Sequence, residues 1–364
     1  MTMTGTTRQR AARMLAWLET ITRDQRWCVL INADPDAMGA AAALRRLIGA
    51  RAGRVDIRRI NEITRPDNLA MIRCLDLKVS PWDPATRERY THFAMVDSQP
   101  HHNIAFRGLP FSLVIDHHAL PRPEQRPAPA PDFSDIRPGM GATCTMMTEY
   151  LRALRVRPTP RLATALLLGI RTDTATFERG GGEADLAAYQ WLSRRADPAL
   201  LRRIVRSEYL RPWLPLFSRA FADLRDCAGG GAHVWVGEVP SPDLLVAIAD
   251  FFTRVHGLRW IAVSGAAQAT VVVIFRGDGK RDIGRMADAC FHDVGSGGGH
   301  RTLGRAEFPL AAVPAGTDPG AFVLRRLESR RLRPLAREKA PAGDGPVGTG
   351  AAAPFPEKTD DQPA

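Results

Sequence analysis

Four apolar runs in the first half of the chain lead into aspartate. Cys28 to Ile31 leads to Asp34 and Asp36, Phe93 to Val96 to Asp97, Val114 and Ile115 to Asp116-His117-His118, and Ala165 to Ile170 to Asp173. A short run that is apolar throughout, with its polar residues all at one end, is the pattern of a strand buried on both faces of a parallel sheet. Ligands of open α/β sheets bind beyond the carboxyl ends of such strands. The repetition therefore predicts one sheet edge that gathers carboxylates and imidazole where a divalent cation would be held.

The remaining pattern fits an α/β fold. Residues 6–22 carry apolar positions at helical spacing, and strands are expected at 28–32, 54–60, 93–97 and 111–116, with helices at 37–49, 140–155 and 160–171. Such alternation argues for a mostly parallel sheet covered by helices. The segment Pro121 to Pro138 is proline-rich and reads as a long loop. After Cys227 the texture becomes β-rich, at His233 to Val236, Trp260 to Val263 and Ala269 to Phe275; a helix at 281–291, a glycine cluster at 295–299 and a run from Glu307 to Leu310 follow. The expected organisation is an N-terminal domain over 1–190, a helical linker over 191–226, a smaller mixed α/β domain over 227–331 and a disordered tail over 332–364, with the active site in the cleft between the two domains.

Charge narrows the partners without naming one. The formal net charge is +11, and Lys78, Lys280, Lys339 and Lys358 are the only lysines, so the cationic charge is almost all arginine. Arginine grips phosphate as a fork, which suits a phosphorylated substrate, although a GC-rich genome writing arginine for lysine gives the same balance. Aromatics are sparse and scattered, which argues against a single-strand-binding surface. No signal peptide or membrane span is visible, so a cytoplasmic protein without a membrane partner is expected. Five scattered cysteines with no C-x-x-C pair read as reduced, packed thiols.

Taken singly, each acid is most simply a helix cap or a turn residue. Together they repel strongly unless cations neutralise them, and two divalent metals acidifying a water between them is the usual chemical answer. Asp34 and Asp36 stand two residues apart, after a strand and before a helix; Asp97 is a candidate bridge, and His117 and Asp173 are candidates to complete the set.

The ordered series Asp34-x-Asp36-x-x-Gly39, Val96-Asp97, Asp116-His117-His118 and Gly169-Ile170-Arg171-Thr172-Asp173-Thr174 resembles the four motifs of the DHH phosphoesterase superfamily. Gly297-Gly298-Gly299-His300 resembles the GGGH signature of the associated C-terminal domain, in the branch of RecJ-like exonucleases, nanoRNases and cyclic-dinucleotide phosphodiesterases. The resemblance spans about residues 25–310. It implies that Asp34, Asp36, Asp97, His117 and Asp173 are metal ligands, typically for manganese, with magnesium or cobalt as substitutes. It further implies that Asp97, His118 and Asp116 serve catalysis, and that Arg276, Gly297, Gly298, Gly299 and His300 bind substrate through glycine N–H groups and an arginine fork. The implied activity is hydrolysis of phosphate esters in short oligonucleotides, cyclic dinucleotides or nucleotide bisphosphates; a homodimer is compatible with it.

One departure bears on the first metal. Many relatives have a histidine four residues before the first aspartate, or an acid two before it; this chain has Leu30 and Asn32 there. Asparagine is a weaker ligand than carboxylate for a hard dication. The first site is therefore expected to bind its ion loosely, and a nucleotide-binding regulator that kept the fold is the alternative to an enzyme.

Overall fold

The structure is a computed structural model describing residues 5–120, 129–178, 181–207 and 209–329. The expected tail from residue 332, and residues 121–128 of the expected proline-rich loop, lie outside the described residues.

The first sheet has six strands, all parallel, in the order β3-β2-β1-β4-β5-β6. They are β1 (Arg26–Ile31), β2 (Arg54–Arg59), β3 (Val79–Pro81), β4 (His92–Val96), β5 (Phe111–Asp116) and β6 (Phe133–Ile136). Helices α1 (Gly5–Glu19), α2 (Pro35–Ile48), α3 (Pro66–Leu75), α4 (Thr143–Ala153) and α5 (Pro160–Asp173) contribute to the core on one face.

Successive side chains on a strand point to opposite faces, and β1 divides accordingly. Trp27, Val29 and Ile31 join the helix-covered core, whereas Cys28 and Leu30 join a second cluster with Phe93, Phe106, Phe111 and Val114 under the loops. The chain moves outward from β1 through β2 to β3, then returns to place β4 on the other side of β1. Right-handed crossovers that reverse direction put their connections on opposite faces, which accounts for the segment carrying Phe106 lying away from α2. The crevice of such a sheet opens at the reversal, here between the carboxyl ends of β1 and β4.

Helices α6 (Glu183–Ser193) and α7 (Pro198–Val205) add Leu192 and Ile204 to the first core, whereas α8 (Leu214–Ala222) adds Phe217 and Ala220 to another. That core belongs to a second sheet ordered β11-β12-β10-β9-β8-β7, made of β7 (Arg225–Cys227), β8 (Gly231–Glu238), β9 (Trp260–Ala267), β10 (Thr270–Gly277), β11 (Ser296–Gly299) and β12 (Leu303–Pro309). Only β8 and β9 pair in parallel. Their crossover helix α9 (Pro242–Phe252) covers one face with Val272 and Ile274, while α10 (Ile283–Phe291) and α11 (Pro319–Ser329) cover the other with Val271, Val273 and Phe275. No helix among the described residues is long and apolar enough to cross a membrane.

Candidate metal centre

The acids of the first motif sit at the reversal of the sheet. Asp34 caps α2, its Oδ1 accepting from the Ala37 amide at 2.8 Å, and Pro35 starts the helix where a missing N–H costs nothing. Asp36 is wholly buried, and its two oxygens accept from the amides of Thr143 (2.6 Å) and Cys144 (2.8 Å) in the first turn of α4. A carboxylate facing a helix N-terminus is stabilised by those free N–H groups. Asp97 follows β4 with a left-handed φ of 59° and accepts from the Thr143 hydroxyl at 3.0 Å. A non-glycine residue held there costs about 1–3 kcal/mol, so the surrounding structure must hold it in place.

His117 leaves β5 and donates from Nδ1 to the Met140 carbonyl at 3.1 Å. That bond leaves the Nε2 lone pair free to ligate, the arrangement that orients metal-binding imidazoles. Nε2 is buried 3.2 Å from Asp173 Oδ2 and 3.4 Å from Asp97 Oδ1, and is aligned for a hydrogen bond with neither. Asp173 was expected to follow the same pattern as the other acids, yet it closes helix α5 rather than a strand. It arrives because α5 packs tightly on α2: a Cβ on Gly169 would meet Cys144 Sγ at 2.5 Å and Asp36 Oδ1 at 2.9 Å. Ligand atoms of Asp36, Asp97, His117 and Asp173 all lie within 4.8 Å of one another.

Burial and mutual repulsion dominate the electrostatics. Burial, then the charges of Asp173 and Asp36, push Asp34 up to about 7. Burial and Asp173 raise Asp36 to about 6 despite the amides of α4, and burial with Asp36, Asp34 and Asp173 lifts Asp97 well above the carboxylate range. For His117 burial acts downward, but the side chain of Asp173 and the charge of Asp36 outweigh it and raise the imidazole to about 9. Three converging carboxylates and a buried imidazole nitrogen without an aligned partner are the donor set of a hard or borderline divalent cation. The residues present therefore fit a metal.

Asp34 is not in that four-residue set. Leu30 is wholly buried among Cys28, Phe93, Met95 and Val114 on the loop-covered face, so its position supplies packing rather than a ligand, while Asn32 is exposed. Asp116 turns from the cluster: its wholly buried carboxylate accepts from His118 Nδ1 at 2.8 Å and from Gln99 Nε2 at 2.7 Å. Burial opposes the charge on Asp116, but the bond and charge of His118 hold the carboxyl below its ordinary value; the same bond raises His118.

In the second sheet, Arg276 and Gly297 to Gly299 line a groove of about 580 Å³ with Val246, Ile274 and Arg305. Arg276 is already paired, Nε to Asp250 Oδ1 at 2.7 Å and Nη1 to the Phe275 carbonyl at 3.0 Å. The glycine cluster, expected to be a turn presenting N–H groups, is instead edge strand β11 paired antiparallel with β12. Helix α10 explains one of its glycines, since a Cβ on Gly297 would meet the Ala287 carbonyl at 2.6 Å; from the helix side, a Cβ on Gly284 would meet the Gly299 backbone at 2.5 Å. His300 lies exposed at the hairpin tip, its amide donating to Leu303 O at 2.8 Å.

Sequence reasoning missed the residues that hold the ligands. Asn61 brackets Ala33 through both backbone groups, at 2.6 and 2.9 Å. Asp185, wholly buried, accepts from the Gly141 amide beside the Met140 carbonyl that orients His117. Neither stands in a local motif, so only the fold brings them to the site. Thr143 and Cys144 had a weak signal, standing at the start of an expected helix.

The geometry is that of an α/β domain whose converging side chains could hold a metal. Residues 27–170 match the DHH family, N-terminal domain. An exopolyphosphatase-related protein from Bacteroides fragilis shares the fold with a TM-score of 0.68 at 14% identity, covering 88% of this chain and 95% of that one. RecJ from Thermus thermophilus, in complex with Mn2+, gives a TM-score of 0.48 at 15% identity over 89% of this chain and 54% of that one. Uncharacterized protein MJ1633 of Methanocaldococcus jannaschii is 29% identical over 304 residues, 83% of this chain and 61% of that protein, so the chain spans less than two thirds of the length of this curated relative.

Proposed function

We propose that the protein is a metal-dependent phosphoesterase acting on small phosphorylated nucleotides: short oligonucleotides, cyclic dinucleotides or nucleotide bisphosphates. The observation that carries this reading is the convergence of Asp36, Asp97, His117 and Asp173 at the crevice of the first sheet. The match of residues 27–170 to the DHH family, N-terminal domain, supports it.

In this reading Asp36, Asp97, His117 and Asp173 would hold the cation, and Asp34, at the start of α2, would contribute to a second, weaker site to which Leu30 and Asn32 add no strong ligand. Manganese suits a set of three carboxylates and one imidazole, with magnesium or cobalt as substitutes. A bound cation supplies Lewis acidity to the phosphoryl oxygen and to an attacking water. The residues do the rest. The backbone bond from His117 to Met140 keeps the ligating nitrogen free, and Asp116, accepting from Nδ1, fixes the orientation of the His118 ring beside it. Thr64, in the loop after β2, donates to Asp243 in the first turn of α9, the helix that also carries Val246 of the groove and Asp250. That contact ties the groove's helix to the carboxyl edge of the first sheet, and a groove of about 580 Å³ is of small-ligand size. Arg276, Gly297, Gly298, Gly299 and His300 would receive the far end of the substrate.

The test is a panel of a 5′-phosphorylated dinucleotide, a cyclic dinucleotide and phosphoadenosine phosphate, assayed with the full chain and Mn2+. At least one is expected to be hydrolysed, with EDTA and Asp173→Ala each abolishing turnover. Absence of both hydrolysis and calorimetric Mn2+ binding overturns the reading.

A further inference from the structure

Two arginines stand where local rules disfavour them, and both line one groove. The first is Arg155. Helix α4 closes with two bonds, the Arg155 amide donating to the Arg152 carbonyl at 3.2 Å and the Val156 amide to the Leu151 carbonyl at 2.8 Å. That closure needs a left-handed residue, ordinarily glycine, yet Arg155 fills it with a φ of 56°. The second is Arg8, in the first turn of α1, which carries no acid. A cation there opposes the helix dipole, which favours negative charge at that end. Local rules broken without a local gain mark residues kept for another purpose.

The groove holds about 550 Å³ between α1 and the end of α4. Arg8, Arg152 and Arg155 line it with alanines and leucines, and no acid does. Among the described residues none of the three enters an ion pair, whereas Arg10, two residues along α1, lies 3.9 Å from Asp135, and Arg137 binds Asp135 and Glu149. Arg195 continues the row: its guanidinium lies 4.0 Å from the centre of the Trp191 ring, and that of Arg152 lies 5.7 Å from the same ring. The dipole of α4 favours cations at this end, but it explains neither Arg8 nor the use of arginine where glycine fits. Guanidiniums gathered without carboxylates repel one another, and an anion bearing several charges relieves that.

The lining chooses among anions. Helix α1 buries Met14, Trp17 and Leu18 in the core and leaves Leu15 as its one exposed large apolar side chain, so it offers no apolar face to a lipid surface. No side chain lining the groove accepts a hydrogen bond, so a peptide's N–H groups would find no partner there. A phosphodiester backbone brings acceptors only, and arginine meets them as a fork. The face of Trp191 is taken by Arg195, so bases are not held by stacking. The groove is also remote from the acid cluster. Thr143, at one end of α4, meets Asp36 and Asp97, and the groove lies at the other end of this 11-residue helix, about 16 Å along it.

We infer that this groove binds the phosphodiester backbone of a nucleic-acid strand, independently of any reaction at the acid cluster. Fluorescence anisotropy tests it, with a labelled mixed-sequence RNA strand and the full chain in EDTA over a series of KCl concentrations. Affinity is expected to fall steadily with salt. Arg8→Ala, Arg152→Ala and Arg155→Gly should each weaken binding about 3- to 10-fold and flatten the slope of log affinity on log salt by about 0.7. Arg155→Gly should at the same time melt about 1–4 °C higher, because glycine accepts the left-handed backbone; an arginine kept for structure alone would not bind less and melt higher together. Arg46→Ala removes the same charge from the exposed side of α2, outside the groove, and should change affinity by less than about twofold. Unchanged affinity in the three groove variants, or an equal loss in Arg46→Ala, overturns the groove. Polyglutamate displacing the RNA as readily as unlabelled RNA of the same charge, or groove-dependent binding to phosphatidylserine vesicles without binding to RNA, overturns the nucleic acid as its occupant.

Discussion

The carboxyl edge of the first sheet and the groove of the second treat charge in opposite ways. At the first, Asp36, Asp97 and Asp173 converge with His117 as the one imidazole of the set, and the orphaned Nε2 faces two of the carboxylates. In the groove, Arg276 is paired with Asp250 and Arg305 with Glu307. A cluster that repels itself is held together only because the fold forces it, and such strain is what a cation can relieve. A groove whose charges already satisfy one another can shape and orient a ligand, but has less to gain from it. On the phosphoesterase reading, the difference gives cation binding to the first region and orientation of the substrate to the second.

The largest expected effect tests that assignment directly. Asp97→Asn should lower Mn2+-dependent turnover by on the order of 10³-fold or more, since it removes a carboxylate from the centre of the set. The same change should raise the melting temperature of the metal-free protein by about 2–4 °C, because one repulsive charge is gone, while the stabilisation on adding Mn2+ shrinks. Arg276→Met should raise KM about tenfold and leave Mn2+ affinity alone. Calorimetry and melting in EDTA and in Mn2+ decide it: a metal-free Asp97→Asn that melts lower than wild type contradicts the picture of an uncompensated cluster.

Acid should pull the two regions apart. In the metal-free protein the carboxyls of Asp34 and Asp36 titrate near 7 and 6 and His117 near 9, each above its ordinary value. The native state then holds more protons than the unfolded chain, so this region loses stability as pH rises through those values. His233, in β8, behaves oppositely. It is 2% exposed, burial lowers it from 6.5 to about 4, and its Nε2 lies 2.7 Å from Ser264 Oγ, which donates to the Val234 carbonyl. Here the unfolded chain binds the extra proton, so stability is whole above pH 6.5 and lost as pH falls through 4, by about 3 kcal/mol in total. Urea denaturation of wild type and His233→Gln at pH 7 and pH 4.5 should show the gap between them closing or reversing in acid; a constant gap removes His233 as the cause.

The two regions also differed in how far the sequence revealed them. Parallel strands buried on both faces are continuous apolar runs, so β1, β4 and β5 and the acids beyond them could be read directly. What could not be read were contacts made across the chain: Asp185 and Asn61 act from far away on the loops that hold His117 and Asp34. Short strands such as β3 and β6 lack a pattern long enough to detect, and α9 is apolar over most of its length, so its period is blurred. The glycine cluster misled for a physical reason. Glycine marks turns and close approaches alike, and at Gly297 the close approach of α10 to β11 is the cause.

Two glycine substitutions carry the comparison to its smallest scale. Gly169→Ala drives a methyl against Cys144 and Asp36 where α5 meets α2, so it should cost about 1–3 kcal/mol and weaken Mn2+ binding as Asp173 is displaced from His117. Gly298 differs from its neighbours: a Cβ there meets nothing within 4 Å, and the residue lines the groove. Gly298→Ala should therefore leave stability within about 0.5 kcal/mol of wild type, since no packed neighbour has to move. Any effect it has should fall on substrate, as a methyl now stands where the backbone faced open space. Measured by chemical denaturation beside KM for whichever substrate the panel identifies, a stable Gly298→Ala with a raised KM would place the ligand against β11. A stable Gly298→Ala with an unchanged KM would move the ligand off that strand.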